Sequence, residues 1–523
     1  MANILIELLT EAMGFLFVLV SLLISTVFYA YKLLLPSFVI RRKLGSQGIG
    51  GPTPSLLYGN ALEMKQIKAK ALEDSTTCKH KQAITHDHPS SIFPYFELWR
   101  KEHGMIYTYS TGTKQHLYIG DPEMVKEINK SLTLDLGKPI YMTQRLEPVF
   151  GSGITRSNGS AWAHQRKIIA PELFVDKVKN MIGLIADSTQ VLVTKWEERV
   201  ESRGGEAEIL VDDDLKNLSA DIISGTCFGS SYAEGKKIFC KLRELQKLVA
   251  LNELLFRFPT FRIFPHKNGR KMERLRRETE TLIWDAVKER KQGRQDLMQR
   301  LLEEALEDSK TGGMSTKSFI VDNCKTMYLA GHESTAIAAS WCLMLLALHP
   351  EWQTRVREEV SELYNGPYDA NKVSSLKTVT MVIQEAMRLY PPGAFVSRET
   401  LEEIRIGRLN VPKGVCIWVF IPSMHTDTGI WGADALEYKP ERFAGGVSKA
   451  CKYPQAYMPF GLGMRQCLGK HFAMMELRVI VSLLVSKFTF SLSPNYLHAP
   501  TFKMFLEPAH GVRIVVKKVG GSK

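Results

Sequence analysis

This sequence of 523 residues contains no fixed-period repeat and no low-complexity tract, and no Pro/Gly/Ser-rich linker divides it beyond about residue 92. These absences argue against a solenoid or a string of small domains and favour one large catalytic unit. The eight cysteines are scattered without the spacing of a disulfide framework, which is typical of a reducing compartment. The main body is therefore predicted to lie in the cytosol.

The chain also lacks the signatures of several binding classes. It has no zinc-finger spacing and no RNA-binding aromatic motif, and its basic residues are interspersed with acidic ones, so no nucleic-acid partner is expected. The formal net charge of +13 instead points to an anionic neighbour, such as a membrane surface or an acidic protein. There is no P-loop, convincing dinucleotide fingerprint or fused flavin domain.

One long apolar run is present near the start of the chain. Residues 13–31 carry no charge and are rich in Leu, Val, Phe and Ile, over about the length that crosses a bilayer. A cleavable signal peptide would have a basic region ahead of the run, and none precedes it. Basic residues follow the run at positions 32 and 41–43. The positive-inside rule therefore predicts a single-pass anchor in the endoplasmic reticulum membrane, with residues 1–12 lumenal and the body cytosolic.

After the anchor we expect a basic linker over residues 32–92 and a catalytic domain over residues 93–523. Within the linker, residues 48–54 combine glycines with two prolines, which stop a helix and predict a stiff hinge. Residues 256–265 mix aromatic and basic side chains, a composition that suits either contact with the membrane interface or ordinary loop packing.

A glycine-bracketed loop over residues 460–469 presents Cys467, which we interpret as the axial thiolate ligand of a haem. A thiolate donates electron density to haem iron and favours O–O cleavage. The loop glycines allow close approach of the backbone, and Arg465 is suited to pair with a haem propionate. A buried inert cysteine and half of a zinc site are the alternatives, since His471 follows four residues later, but only Cys451 is near as a further ligand.

A second motif interrupts a helix predicted from about residue 319 to residue 349. Residues 330–335 place a glycine and a carboxylate among apolar neighbours, at a cost in stability that needs a reason. A small residue opens a groove beside a metal, and an acid with a hydroxyl relays protons, so Glu333 and Ser334 are the candidates, with Thr335 in reserve. A buried helix with a satisfied polar patch and a second membrane span are the alternatives.

Glu385 and Arg388 lie three residues apart on one helix face, directly before two prolines that end the helix. Alone, this spacing is common on protein surfaces. Arg442, about fifty residues later, is expected to join Glu385 in a bidentate buried network that fixes the segment leading to the loop of Cys467.

Other basic and aromatic residues suit a haem propionate. Trp162 and Arg166 lie one helical turn apart, and Arg398 is a further candidate, although a core tryptophan with a surface arginine is the ordinary alternative. The candidate haem-binding residues are Cys467, Arg465, Trp162, Arg166, Arg398 and Phe460.

In this order, the motifs resemble those of the cytochrome P450 family over nearly the whole chain. The resemblance implies a mainly α fold with a small β-rich region, preceded by one transmembrane helix. It also implies haem b as cofactor and insertion of one oxygen atom from O₂ into a C–H bond. Electrons would come from NADPH through a separate NADPH–cytochrome P450 reductase, whose acidic surface would meet a basic proximal face.

Residues 164–174 and 506–511 look like the plant branch that oxidises hormones and terpenoids. This likeness implies a pentacyclic triterpenoid acid or a gibberellin-type diterpenoid as the substrate. One departure is that family members usually carry threonine directly after the acid, where this chain has Ser334. Serine has more rotamer freedom, which puts the efficiency of coupling in doubt.

By resemblance, the pocket wall draws on residues 150–154, on the helix face before Ala330, and on residues 394–396 and 502–505. These stretches are largely apolar, which suits a rigid hydrocarbon skeleton. Lys503 and Arg145 are candidates to hold a substrate carboxylate, with plain surface exposure as the alternative.

Two other functional classes remain open. A haem-thiolate isomerase or dehydratase rearranges a peroxide without external electrons, and it often lacks the acid–alcohol pair. A non-catalytic haem-binding or lipid-binding membrane protein would have no use for a proton relay. The presence of Glu333 and Ser334 favours the monooxygenase over both.

Overall fold

The computed structural model describes residues 2–77, 84–229, 232–250, 267–289, 296–306, 314–361 and 369–520. It confirms the predicted mainly α architecture with small β-rich regions. The helices are α1 (Ala2–Gly45), α2 (Ala61–Thr77), α3 (Pro89–Ile92), α4 (Pro94–His103), α5 (Pro122–Lys130), α6 (Ile140–Arg145), α7 (Glu147–Phe150), α8 (Gly159–Ile169), α9 (Val175–Lys179), α10 (Ile182–Ser202), α11 (Val211–Phe228), α12 (Tyr232–Ala250), α13 (Lys267–Lys288), α14 (Leu297–Leu306), α15 (Thr316–Leu348), α16 (Pro350–Ser361), α17 (Ala370–Ser375), α18 (Lys377–Leu389), α19 (Ile421–His425), α20 (Thr428–Trp431) and α21 (Lys470–Lys487).

The strands form small sheets beside the helical body. They are β1 (Ile106–Thr111), β2 (Lys114–Ile119), β3 (Leu136–Gly137), β4 (Glu206–Leu210), β5 (Phe395–Thr400), β6 (Ile404–Ile406), β7 (Leu409–Val411), β8 (Cys416–Phe420), β9 (Phe488–Leu492), β10 (Pro500–Phe502), β11 (Leu506–Pro508) and β12 (Arg513–Lys518). The largest sheet has the order β1-β2-β8-β5-β3, with β2 and β8 parallel and the other pairs antiparallel. A second sheet has the order β4-β12-β9, and β10-β11 and β6-β7 form two hairpins.

Helix α1 contains the predicted anchor and continues beyond it. Its stretch Ala12–Gly45 is long and apolar enough to span a membrane, and 18 consecutive residues within it have a mean hydropathy of 2.2. Arg42 and Lys43 lie in its last turn. The end of the helix packs on the β-rich region, because Leu44 is fully buried and the Gln115 amide donates to Ser37 Oγ at 2.6 Å. The helix is therefore joined directly to the body.

The glycine- and proline-rich segment over residues 48–54 is not helical, as its composition predicts. The Arg41 guanidinium donates to the carbonyls of Gly51 and Pro52 at 3.2 Å and 2.8 Å. Gly51 has φ +154°, and a Cβ there would lie 1.9 Å from the Thr108 carbonyl oxygen of β1. The segment is thus held between the end of α1 and the first sheet. Residues 256–265 lie outside the described residues.

Helix α15 runs through the centre of the helical body and is almost wholly buried. Ser315 caps its first turn by accepting from the Ser318 amide, and the helix stops at Leu348, two residues before a proline. It therefore matches closely the helix predicted from about residue 319 to residue 349. Gly331 allows α11 to approach, because a Cβ there would lie 2.6 Å from Ile223 Cδ1. This glycine is explained by helix packing rather than by a groove.

The buried network on α18 forms as expected, but a different arginine makes the bidentate pair with Glu385. Arg388, not Arg442, makes the bidentate pair with Glu385, at 2.7 Å and 2.8 Å. Arg442 Nε lies 3.5 Å from Glu385 Oε1 and also pairs with Asp434 at 2.7 Å. The short helical spacing favours Arg388, since it lies one turn from Glu385 on the same helix. The network ties α18 to the segment that leads to the loop of Cys467.

Candidate active site

The loop over residues 460–469 folds back on itself ahead of α21. The Cys467 amide donates to the Phe460 carbonyl at 2.9 Å, which closes the loop. Gly463 has φ +65°, and its amide donates to Asn129 Oδ1 at 2.7 Å. This backbone arrangement leaves the Cys467 side chain exposed, just before α21 begins at Lys470. The loop thus presents a single accessible sulfur on a fixed turn.

The electrostatics of Cys467 contain opposing effects. Desolvation by the surrounding protein raises the pKa of the Cys467 thiol even though part of the side chain is exposed, whereas the Gly469 backbone amide and the charges of Arg166 and Lys470 lower it. Coordination to a metal would favour the thiolate strongly over these effects. For the zinc alternative, the part of the chain that the structure describes contains no group of three or more His, Cys, Asp or Glu residues placed to hold a metal ion.

Two arginines lie close to one indole ring next to the loop. The guanidinium carbon of Arg465 lies 4.4 Å from the centroid of the Trp162 ring, and that of Arg166 lies 5.4 Å from it. Both Trp162 and Arg166 belong to α8, as their spacing predicts. Arg166 donates to the Gln466 carbonyl at 3.1 Å, and Arg465 donates to Asn158 Oδ1 at 2.8 Å. Helix α8 is thus joined to the loop of Cys467.

Two more cations complete this group. Arg398 on β5 donates to the Leu462 carbonyl at 3.0 Å, and burial lowers its pKa to about 10. Lys138 follows β3, where burial and the charges of Arg398 and Arg465 lower its pKa to about 7. Burial, Arg398 and Arg166 also lower the pKa of Arg465 to about 9. Lys138 was missed by sequence reasoning, because a lysine between a glycine and a proline carries no periodic signal.

We define these four side chains, Lys138, Arg166, Arg398 and Arg465, as the cation cluster. The hydrogen bonds described above for its arginines all go to neutral oxygens of backbone or amide groups. Four partly buried positive charges at one place repel each other, and an anion with two carboxylates would offset that repulsion. A haem carries two propionates, so the cluster and the neighbouring Cys467 fit haem in both charge and ligand chemistry.

On α15, the acid and the hydroxyl face different surroundings. Ala330 is exposed and Ser334, one turn later, is half-buried, with Ser334 Oγ donating to the Ala330 carbonyl at 2.9 Å. Glu333 and Thr335 are buried. The open face of α15 is therefore formed by Ala330 and Ser334, and the hydroxyl expected in reserve at Thr335 lies away from it, since neighbouring helical residues are about 100° apart.

Glu333 is surrounded by basic groups. Its Oε1 lies 3.4 Å from Arg243 Nε of α12 and 3.4 Å from His332 Nε2. Burial acts to raise the pKa of Glu333, but the contact with His332 and the charges of Lys216 and Arg243 outweigh it and lower the pKa to about 2. Glu333 is therefore a carboxylate at neutral pH. Arg243, another residue that the sequence did not reveal, connects this acid to α12.

Residues from three of the stretches predicted as pocket walls belong to one apolar cluster. They are Phe150 of α7, Leu329 of α15 and Met504 of the β10–β11 hairpin, and Leu245 and Leu248 of α12 belong to the same cluster. Residues 394–396 join through the hairpin rather than through this cluster, because the rings of Phe395 and Phe502 lie 5.6 Å apart between centroids.

The two candidates for binding a substrate carboxylate, Lys503 and Arg145, both contact other residues of this chain. Lys503 is exposed and pairs with Glu507 at 2.6 Å. The guanidinium carbon of Arg145 lies 5.7 Å from the centroid of the Tyr141 ring on the same short helix. The position of Lys503 therefore agrees with the alternative interpretation, plain surface exposure.

Comparison with known proteins agrees with this geometry. Residues 79–514 match the family model of cytochrome P450. Cytochrome P450 714A2 of Arabidopsis thaliana is 52% identical over 493 residues, covering 91% of this chain and 93% of the relative. Cytochrome P450 714B3 of Zea mays is 47% identical, covering 94% of this chain and 93% of the relative. Cytochrome P450 714B2 of Oryza sativa subsp. japonica is also 47% identical, covering 91% of each chain.

The chain belongs to the cytochrome P450 family. It is a haem-dependent monooxygenase, and the relatives named above are plant proteins. Membership of the family brings haem b as the cofactor, O₂ and a small organic molecule as substrates, and electrons from NADPH through a separate reductase.

Proposed function

We propose that this protein hydroxylates a terpenoid, either a pentacyclic triterpenoid acid or a gibberellin-type diterpenoid, and that the same site is able to oxidise it further. The observation that supports the proposal best is the apolar character of the predicted pocket walls, in which Phe150 and Met504 belong to one cluster and Phe395 and Phe502 to another. Aliphatic and aromatic walls of this kind recognise a rigid hydrocarbon skeleton by its shape. The likeness of residues 164–174 and 506–511 to the plant branch supports the same substrate class.

In this proposal Cys467 would supply the thiolate ligand, and the cation cluster with Trp162 and Phe460 would hold the haem. Haem with a thiolate ligand supplies the oxygen-activating chemistry when it is bound. Arg465 and Arg166, both close to the Trp162 ring, would then offset propionate charge. The closed backbone turn of Phe460 and Cys467 fixes the position of the sulfur.

Glu333 and Ser334 are proposed to deliver protons from different faces of α15. The hydroxyl of Ser334 lies on the open face, where it donates to the Ala330 carbonyl and is able to orient a water. Glu333 lies among Arg243, His332 and Lys216, so its carboxylate accepts a proton only when those contacts loosen. Proton transfer through water molecules around the helix would then connect the two groups.

We further propose that α1 anchors the protein in the endoplasmic reticulum membrane with residues 1–12 in the lumen. Residues 13–31 would span the bilayer, and the basic residues in the last turn of α1 would lie on the cytosolic side. The catalytic domain, proposed to cover residues 93–523, would then share the cytosol with the membrane-bound reductase.

The test is product analysis by mass spectrometry of microsomes that contain this chain and a plant reductase. Gibberellins and oleanane and ursane acids are supplied in parallel, with and without NADPH. An NADPH-dependent gain of one oxygen atom on either panel supports the proposal and identifies the substrate class. A haem-loaded, reducible protein that oxidises neither panel contradicts it. Turnover of a fatty-acid hydroperoxide without NADPH would instead support the isomerase or dehydratase class.

A further inference from the structure

Two consecutive residues of α15 hold the loop over residues 151–154 by its backbone. Asp322 Oδ2 accepts from the Ser152 amide at 2.8 Å, and Asn323 Oδ1 accepts from the Ile154 amide at 3.0 Å. The Asn323 side-chain amide also donates to the Phe319 carbonyl at 2.9 Å, which fixes the orientation of the side chain. A loop between two helices would ordinarily satisfy such amides with water. Here it is bonded to the central helix instead.

The loop approaches α15 so closely that only glycine fits at two positions. A Cβ on Gly151, which has φ +53°, would lie 2.0 Å from Asp322 Oδ1. A Cβ on Gly153 would lie 2.5 Å from the Asp322 carbonyl oxygen and 2.6 Å from Thr326 Oγ1. Gly151 and Gly153 therefore allow this close contact, which a side chain at either position would obstruct.

Lys325 extends the contact to a third element. Its side chain has 0% exposure, and its Nζ lies 2.9 Å from Asp322 Oδ1 and 2.8 Å from Glu280 Oε1 of α13. A fully buried lysine is stable only when carboxylates are close by, so the two ion pairs depend on each other. The loop, α13 and α15 are thus connected through Asp322 and Lys325.

The loop continues directly from Phe150, which belongs to the apolar wall of the proposed pocket. Phe150 and Leu329 of α15 belong to the same apolar cluster. A displacement of the loop would therefore move Phe150 relative to α15. Packed walls transmit such shifts because interiors are close-packed.

We propose that Asp322 and Asn323 are positioning residues that fix the loop over residues 151–154 and thereby determine which bulky ligands the pocket admits. Lys325 balances the charge of Asp322 and holds α13 in the same arrangement. The inference rests on the pocket location given under Proposed function, and it does not depend on which terpenoid is oxidised.

The test uses the full-length, haem-loaded protein and two azole probes read by optical titration. Imidazole is small, whereas ketoconazole fills a large part of a substrate pocket. The variant Asn323→Ala removes one bond to the loop without changing any charge. Ser340→Ala is the matched control, because it removes a buried hydroxyl from the same helix, facing Asp212 rather than the loop. Hydrogen exchange followed by mass spectrometry reports on the backbone of residues 150–156.

We expect Asn323→Ala to accelerate exchange in the loop and to raise the Kd for ketoconazole about fivefold, with the Kd for imidazole unchanged. Ser340→Ala should leave all three measurements as in the parent. Unchanged exchange in the loop would overturn the bonding role, and faster exchange with unchanged ketoconazole affinity would overturn the role in the pocket. Equal weakening of both azoles would show general damage to the haem site and would also overturn the proposal.

A second variant keeps the test informative if Asn323→Ala does not fold. Asp322→Asn retains an acceptor for the Ser152 amide but loses the ion pair with Lys325. Faster exchange in α13 than in the loop is expected, because Glu280 is held through Lys325. Unchanged exchange in both elements would contradict the connection. Since neither azole is a terpenoid, these outcomes are separate from success or failure of the product analysis.

Discussion

The guanidinium of Arg388 donates to both carboxylate oxygens of Glu385, and neither side chain has any exposed surface. Its other donors reach the carbonyls of His425 and Ala435, at 2.7 Å and 2.6 Å. Removal of one partner from such a pair leaves a buried charge without compensation. This pair therefore joins α18 to the segment that precedes the loop of Cys467.

Arg388→Ala should lower the free energy of unfolding by about 3–5 kcal/mol and prevent accumulation of haem-loaded protein. The control is Arg355→Ala, because Arg355 pairs with Glu441 at 2.9 Å while both side chains are more than half exposed. That variant should lose at most about 1 kcal/mol. Denaturant unfolding and the yield of haem protein measure both effects. Equal losses in the two variants would show that burial of Arg388 is unimportant.

Cys467→Ala should abolish the thiolate-type haem spectrum and NADPH-dependent activity, because no other sulfur takes the place of the proposed ligand. Cys451→Ala should retain both, since Cys451 Sγ contacts the Tyr453 carbonyl at 3.2 Å instead. Optical spectra of the reduced, carbon monoxide-treated proteins distinguish the two variants. A normal spectrum in Cys467→Ala would contradict the ligand assignment.

Ser334→Ala should lower the ratio of product formed to NADPH consumed by several-fold, because the buried Thr335 does not share the open face of α15. Ser334→Thr preserves the hydroxyl and should keep the ratio at or above that of the parent. The measurement is the stoichiometry of product, NADPH and hydrogen peroxide. An unchanged ratio in Ser334→Ala would show that this hydroxyl does not take part in proton delivery.

Lys138→Met should accelerate loss of haem about fivefold, since it removes one cationic group from the cation cluster proposed to bind the propionates. Transfer of haem to an excess of apomyoglobin, followed in the Soret band, gives the rate. Lys130→Met is the control, because Lys130 is exposed and pairs with Glu127 at 3.2 Å. Identical rates for both variants would place Lys138 outside the haem-binding group.

Glu476 on α21 gives a prediction on pH. Burial raises the pKa of Glu476 to about 8, although the Ser219 hydroxyl, 2.5 Å from Oε1, acts in the opposite direction. The folded state therefore retains a proton that the unfolded state loses above about pH 4.3. Stability of the parent should fall by about 1–3 kcal/mol relative to Glu476→Gln as the pH rises from 5 to 8. If the free energy of unfolding changed with pH equally in the parent and in Glu476→Gln, the result would contradict a neutral Glu476.

The fold class and the loop of Cys467 were predictable because their signals are local. The thiolate candidate, its glycines and Arg465 lie within ten residues, and Glu385 and Arg388 lie one helical turn apart. Lys138 was not predictable, since its neighbour Arg398 belongs to a strand far along the chain. Its proximity depends on how β3 pairs with β5.

The acid and the hydroxyl of α15 show a second limit of sequence reasoning. Glu333 and Ser334 are neighbours in sequence and were expected to act at one place, but the helix turns by about 100° between them. Asp322 and Asn323 carry no sequence signal for a bond to a distant loop. Their bonds to Ser152 and Ile154 become visible only when the loop and the helix are placed together.

Helix α1 is bonded to the body at several points beyond the apolar run. Gln47 exchanges two hydrogen bonds with the backbone of Asn410, at 2.9 Å and 2.8 Å, and Lys43 pairs with Glu403 at 3.1 Å. These bonds therefore fix the orientation of α1 relative to the body, so the helix is not a flexible linker. One residue inserted between positions 27 and 32 would lift the body by about 1.5 Å and rotate it by about 100° about the helix axis. The rotational orientation of the catalytic body about the helix axis would therefore depend on the length of the proposed anchor.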